Sequence, residues 1–274
     1  MTEKYSPDQP IIKGADVIYR PAGNAGEYAP LATNPFKGCG HGCKYCYVPN
    51  ATHIDRALFN EGAVFRGNDY LRRLDRDIDR HRHLSGGPNE QIFITFSSDP
   101  FHPGGGLIET TGVVMEKLRL GGLAYCTLSK GGERALPFLN VYRPERDAYA
   151  ATLTTLDDAF SRKWEPKAAL PRDRIATLSR FHEAGIFTWV SLEPTLDVQA
   201  SLDIVAETCS FVDLYKIGRA NYLKEITRTT DWRDYTMRMI DQCRRLGVKH
   251  YIKRDLQEYL PLGYYNPLRV QQHH

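Results

Sequence analysis

The chain has 274 residues, 42% of them hydrophobic, which is enough to bury a substantial core in one large domain. A formal net charge of +3 permits a local basic surface but is no nucleic-acid signature by itself. No run of eighteen apolar residues occurs, so no membrane span is expected, and residues 1–10 lack the basic-then-apolar order of a secretory signal.

The expected compartment is therefore the reducing cytoplasm, where clustered cysteines bind metal or do redox chemistry more often than they form disulfides. Residues 1–30 are polar, with scattered Pro and Gly, and read as an arm lying over the domain surface. A cysteine-rich loop, "GCGHGCKYCYVP", follows at 38–49. The segment 70–84 interleaves Arg with Asp around a stripe of Leu71, Leu74 and Ile78, the pattern of a helix with one buried face and an ion-paired outer one. "QIFITFSS" (91–98) is a strand ended by Asp99 and Pro100, and 109–122 is a helix closing on two glycines. Strands are expected at 123–129, 148–155, 187–194, 212–218 and 249–254. Helices are expected at 172–186, 198–209 and 230–248, the last capped by Thr230 or Asp231 and stopped by Gly247.

Strands alternating with helices of this length imply βαβ units and a parallel sheet, here six or seven units forming a partial barrel over 31–260. Residues 261–274 read as a tail, and its final pair, His273 and His274, carries no argument. In such barrels the working residues sit at the C-terminal ends of the strands.

The six cysteines divide into two groups. Cys126, Cys209 and Cys243 stand singly among apolar neighbours and read as small buried hydrophobes. Cys39, Cys43 and Cys46 share eight residues in a Cys-x3-Cys-x2-Cys spacing. Structural zinc sites close a tetrahedron with four ligands, commonly as two separated pairs, and no second pair exists here. His41 is the available fourth ligand, but closing one ion within eight residues would be cramped. Three thiolates on a short loop suit a 4Fe–4S cube, in which each binds one iron and the fourth iron stays open for chemistry. Gly38, Gly40 and Gly42 let the loop wrap such a cluster closely.

The spacing, following a first strand and with Tyr45 before the last cysteine, resembles the radical S-adenosylmethionine (SAM) superfamily. The strings at 34–47, 95–101, 127–132 and 151–171 are similar to its spore photoproduct lyase-like branch, also called DNA repair photolyase-related; the similarity spans roughly residues 12–200. The resemblance implies a 4Fe–4S cluster on Cys39, Cys43 and Cys46, and SAM chelated to its open iron. It implies a reducing electron donor of the flavodoxin or ferredoxin type, and hydrogen-atom abstraction from a nucleic-acid base or nucleotide-like substrate.

Position by position, the resemblance places Tyr45 by the adenine and Tyr47 at cofactor contact or radical relay. It places Ser98 and Asp99 near SAM's methionine amino group and Lys130 on its carboxylate. Thr152 and Thr154, on one face of the fourth strand, are set to meet the ribose or sulfonium. Glu193 is an acid ending an otherwise apolar strand, a position that favours a functional role. Lys216, Arg219, Lys253 and Arg254 end the last two strands and can form a basic mouth for an anionic substrate. One departure stands out. The lyases carry a hydrogen-donating cysteine just ahead of the Ser-Asp pair, and this chain has Phe96 there, so a different final hydrogen source is expected. Two other readings stay open: the same radical chemistry on a small metabolite or peptide, and a non-catalytic metal-stabilised nucleic-acid-binding module.

Overall fold

A computed structural model describes residues 16–84, 90–104 and 107–266. Residues 1–15 of the expected arm and 267–274 of the expected tail, with His273 and His274, lie outside the described residues.

The strands are β1 (Ile18–Tyr19), β2 (Leu31–Thr33), β3 (Phe36–Lys37), β4 (Val64–Phe65), β5 (Ile92–Ile94), β6 (Tyr125–Ser129), β7 (Ala148–Thr152), β8 (Phe187–Ser191), β9 (Leu214–Ile217) and β10 (His250–Ile252). The helices are α1 (Val48–Thr52), α2 (Arg56–Asn60), α3 (Asn68–His81), α4 (Ile108–Leu120), α5 (Asp158–Trp164), α6 (Pro171–Glu183), α7 (Val198–Thr208), α8 (Lys224–Thr229) and α9 (Trp232–Arg245). One sheet runs in the order β1-β2-β5-β6-β7-β8-β9-β10, parallel from β2 onward, with β1 antiparallel on β2. The seven parallel strands form the expected partial α/β barrel, and β3 and β4 make a separate antiparallel pair beside the cysteine loop.

Alternation along the strands separates two cores. The outward residues, among them Ile92, Ile94, Tyr125, Val190, Tyr215 and Ile252, meet the helices in the larger core. The inward residues Ala32, Phe93, Cys126, Ala148, Ala150, Trp189, Leu214 and Tyr251 fill the barrel interior. Small residues on β2 and β7 leave room there for Trp189 and for Tyr28, which enters from the N-terminal segment and packs on Phe93, Phe96 and Trp189.

That insertion corrects the reading of residues 16–30 as a surface arm. The segment supplies β1, Glu27 and Ala29 are buried, and Tyr28 is half-buried. Its polar groups meet partners inside the barrel: Glu27 Oε1 accepts from the Tyr251 hydroxyl (2.9 Å) and the Arg254 amide (2.6 Å), and Lys253 lies 4.0 Å from Glu27 Oε2. Lys216 donates to the carbonyls of Glu27 (3.2 Å) and Tyr28 (2.9 Å). Composition reads such a segment as solvated because it does not reveal these partners.

The strands are shorter than the alternation suggests, and they stop where the site begins. β5 ends because Thr95 turns to φ +64° and the next two amides, of Phe96 and Ser97, go to the Asn34 side chain (2.7 and 3.3 Å). α9 starts on Asp231, whose carboxylate accepts from the Arg233 and Asp234 amides (3.0 Å each). α3 has the expected ion-paired face, with Asp69 on Arg72 and Arg73, and Asp16 on Arg76 and Arg80. No helix among the described residues is long and apolar enough to cross a membrane.

Asp77 of α3 is fully buried and accepts from the amides of Val17 (2.6 Å) and Ile18 (3.1 Å), pinning β1 to the helix layer. Asp77→Ala strands both amides and is expected to cost about 3 kcal/mol in urea unfolding. A change below about 0.5 kcal/mol would mean β1 is not held this way.

Candidate functional site

The cysteine loop springs from β3 and is held on every side by backbone. The Cys39 amide donates to Phe59 O (2.9 Å), Lys44 to Trp164 O (2.9 Å), and Lys167 to His41 O (3.0 Å). Arg56 of α2 donates to the Cys46 carbonyl (2.8 Å). Gly38 has φ +74°, and a Cβ there would lie 2.3 Å from Gly62 O, so this turn admits only glycine. The three thiols are free, and all three line one cavity of about 440 Å³ at the C-terminal mouth of the barrel. Burial pushes the Cys43 thiol up to about 12 and raises Cys39 and Cys46 as well, so loading a metal must displace protons from them.

Behind the loop lies a buried charge network. Glu165 accepts from the Tyr45 hydroxyl and from Arg174, and Thr154 adds a weaker contact at 3.4 Å. Arg174 also donates to Ala169 O (2.7 Å) and Thr152 O (2.9 Å). Burial would raise the Glu165 carboxyl, but Arg174 and Lys130 outweigh it and hold it below the usual range. Asp99 is the second anchor. It accepts from the Ser129 hydroxyl (2.6 Å) and from the amides of Lys130 (2.7 Å) and Phe101 (2.8 Å), and His41 Nδ1 lies 3.4 Å away. Burial opposes its charge, and these donors together hold the carboxyl low.

His41 is not placed as a zinc ligand. Its Nδ1 faces Asp99 and its Nε2 accepts from Arg134 (2.9 Å), so both ring nitrogens are engaged. Burial first, and Arg134 after it, lower this imidazole to about 4 despite Asp99, which keeps it neutral. Among the described residues no three Cys, His, Asp or Glu side chains converge on a single ion. A cube that gives each thiolate its own iron does not need them to.

Of the expected cofactor-contact residues, Tyr45, Ser98, Asp99, Lys130 and Thr152 line the cavity with the thiols. The Lys130 ammonium lies over the Tyr45 ring, 5.5 Å from its centroid. Burial works against its charge, and a thiolate at Cys43 together with Glu165 outweighs that and raises its pKa. Thr154 is elsewhere: β7 ends at Thr152, and the Thr154 hydroxyl serves Glu165.

The two residues expected in catalysis, Tyr47 and Glu193, line the same cavity. Tyr47 is 40% exposed and stacks on Tyr222, itself 63% exposed, with ring centroids 6.1 Å apart. Glu193 accepts from Tyr28 (2.6 Å), Lys253 and Asn221 (3.2 Å). The expected basic mouth is mostly consumed: Lys216 holds the N-terminal segment, Lys253 holds Glu193, and Arg254 is exposed, while Arg219 lines the cavity. Phe96 lies on Phe93, ring centroids 4.1 Å apart, and forms cavity wall. Cys126 faces the barrel interior, off the cavity lining.

Sequence reasoning missed Tyr28, Asn221 and Tyr222 of the lining and Glu165, Arg174 and Arg134 of the support. Only Arg174 carried a signal, a cation within an amphipathic helix on its buried side.

No family model matches the chain. An uncharacterised protein of Acidianus two-tailed virus, ORF301, is 25% identical over 218 residues, 74% of this chain and 71% of that protein. Streptococcus suis SuiB bound to S-adenosylmethionine superposes with a TM-score of 0.63 at 11% identity; the match covers 86% of this chain and 53% of SuiB, so this chain spans about half its length. A spore photoproduct lyase mutant with bound AdoMet and dinucleoside spore photoproduct superposes with a TM-score of 0.62 at 12% identity, covering 82% of this chain and 76% of the lyase. SuiB bound to its precursor peptide SuiA gives a TM-score of 0.59 at 12% identity over 81% of this chain and 48% of its own. At such identities the likeness is one of fold: the chain has the partial-barrel fold of SuiB and spore photoproduct lyase.

Removing one partner of the Glu165–Arg174 pair leaves a buried charge. Arg174→Met is expected to cost about 3–5 kcal/mol, whereas the double change Glu165→Leu with Arg174→Met costs far less. Because the folded Glu165 pKa lies below its ordinary 4.5, its contribution is present above that pH and fades as pH falls through the depressed value. Chemical denaturation of both variants across pH 3–7 reads this (approximate range spanning the carboxylate titration); equal losses in single and double variants would contradict it.

Proposed function

We propose that this chain is a radical SAM enzyme in which Cys39, Cys43 and Cys46 hold a 4Fe–4S cluster, with a nucleic-acid base or nucleotide-like molecule as substrate. The observation that carries it is the shared cavity. Three thiols, one ammonium and the hydroxyl-bearing Thr95 and Ser98, whose hydroxyls have no hydrogen-bond partner among the described residues, line the same mouth of a partial barrel. This donor set fits the group: sulfur for the iron, a cation for a carboxylate, and hydroxyls for a polar head. When bound, cluster and SAM together supply reductive cleavage of a carbon–sulfur bond and a carbon radical able to take a hydrogen atom.

The chain's own residues prepare that chemistry. Lys130, held over Tyr45 by the Asp99 clamp on its backbone, pairs with the methionine carboxylate. Ser98 meets the amino group, while Asp99 acts through Lys130 and Ser129. Tyr45, fixed by Glu165, packs by the adenine, and Thr152 faces the ribose or sulfonium. The apolar wall of Phe93, Phe96 and Tyr28 keeps water from the reacting centre. Tyr47, with Tyr222 stacked on it, offers an aromatic surface for a planar base, and Arg219 offers a cation for phosphate. Glu193 fixes the Tyr28 hydroxyl and Lys253 on the cavity wall. Phe96 has no thiol hydrogen to return, so the final step draws on a tyrosine, another thiol or SAM itself. An electron donor of the flavodoxin or ferredoxin type supplies reduction.

The dinucleoside bound to spore photoproduct lyase supports the nucleotide reading, and the peptide bound to SuiB supports a second one in which the substrate is a peptide. Anaerobic reconstitution with iron and sulfide, followed by dithionite and SAM, is expected to yield 5′-deoxyadenosine in wild type and none in Cys43→Ala. Colourless wild-type protein binding only zinc, with no 5′-deoxyadenosine formed, favours a metal-stabilised binding module instead. Lys130→Met should weaken SAM binding roughly 10- to 100-fold; unchanged affinity would remove the carboxylate role. Deuterium passing to 5′-deoxyadenosine from a labelled oligonucleotide and not from a labelled peptide decides the substrate class.

A further inference from the structure

Among the described residues, three non-glycine positions have positive φ: His53, Thr95 and Glu145. His53 and Glu145 are exposed, and His53 closes a short helix, where a left-handed residue is ordinary. Thr95 differs in every respect. It is β-branched, only 2% exposed, and holds φ +64° at the end of a central strand. A threonine there is strained in a way that glycine would not be.

The same residue carries a second cost. Thr95 Oγ1 is buried with no hydrogen-bond partner among the described residues, and an unmet buried hydroxyl is unfavourable. The surrounding turn enforces both features. The Thr95 amide still pairs with Thr33 O (2.9 Å), and the next two amides are turned onto Asn34 Oδ1. Strain that is over-determined by its surroundings, at the wall of a cavity, points to a use for the group it places.

We infer that Thr95 is a ligand-contact residue: its hydroxyl accepts a hydrogen bond from the α-ammonium of an amino-acid head bound in the cavity, and the strained turn exists to aim it. Three observations select that chemistry. Thr95 and Ser98 line the same cavity, and both hydroxyl oxygens are buried without hydrogen-bond partners among the described residues. The turn that carries them is tied through Asp99 to the backbone of Lys130, so two acceptors and one ammonium share one edge. An α-amino acid head has the complementary pair, an ammonium for the hydroxyls and a carboxylate for Lys130. In the proposed cofactor this head is the methionine part of SAM, and the inference rests on that reading.

The test separates ligand contact from structural support. In reconstituted protein, Thr95→Val keeps shape and backbone strain but removes the hydroxyl. It is expected to weaken SAM binding roughly tenfold by calorimetry. It should leave binding of 5′-methylthioadenosine, which lacks the amino-acid head, unchanged. The ligand-free variant should melt at or above the wild-type temperature, because a methyl group replaces an unsatisfied hydroxyl. Thr95→Ser, which retains the hydroxyl, should bind SAM within about twofold of wild type (less than the worth of one hydrogen bond). A lower melting temperature for Thr95→Val, unchanged SAM affinity, or an equal loss for 5′-methylthioadenosine would each overturn the inference. Wild-type protein that binds 5′-methylthioadenosine but not SAM would overturn the cofactor reading as well.

Discussion

Glu165 and Arg174 form a buried ion pair on which the geometry of the site depends. Arg174 grips the carbonyls of Thr152, at the end of β7, and of Ala169, in the segment before α6. Glu165 reaches the other way and holds the Tyr45 hydroxyl in the cysteine loop. Barrel, connecting segment and cysteine loop are thereby fixed to one another through four hydrogen bonds. Desolvating two charges is expensive, and the cost is recovered only because each remaining donor and acceptor is matched. An apolar pair of similar volume could hold the packing, but it could not orient a hydroxyl-bearing ring beside three thiols.

Hydrogen bonding divides the cavity wall into groups that are finished and groups that are waiting. Asp99 and Glu193 look like free acids in the sequence, yet each is occupied by protein donors: Asp99 clamps the turn after β6, and Glu193 holds Tyr28 and Lys253. Lys216 and Lys253 look like a basic mouth, yet both are spent inside the barrel. The unfinished groups are fewer and lie together. They are the thiols, the Lys130 ammonium over a ring, and the hydroxyls of Thr95 and Ser98. Unmet polarity at one end of a walled cavity marks where a ligand completes the structure.

The N-terminal segment shows why the substrate end was hard to read. Tyr28 reaches the barrel because Ala32, Ala148 and Ala150 leave space, and its hydroxyl meets Glu193, 165 positions away in the chain. Asn221 and Tyr222 arrive from the connection after β9. None of these stands in a spaced motif, so nothing local distinguishes them from ordinary polar or aromatic residues. Thr154 failed for a related reason. Alternation placed it beside Thr152, but β7 stops at Thr152, and beyond that point the two-residue period no longer governs direction.

The sequence by itself determined the parallel α/β architecture, the order of its units, and the cysteine loop with its glycines. These follow from periodicity, turn chemistry and spacing, all of which are local properties of the chain. It also determined that Lys130 and Ser98 belong near the loop, because strand ends in a parallel barrel share one face. Tertiary structure alone decided which polar groups are spent on one another and which remain for a ligand. Burial and hydrogen-bond partners are properties of the packed chain, and they turned Asp99 and Glu193 into supports and left Thr95, strained and with its hydroxyl unpartnered among the described residues, on the cavity wall.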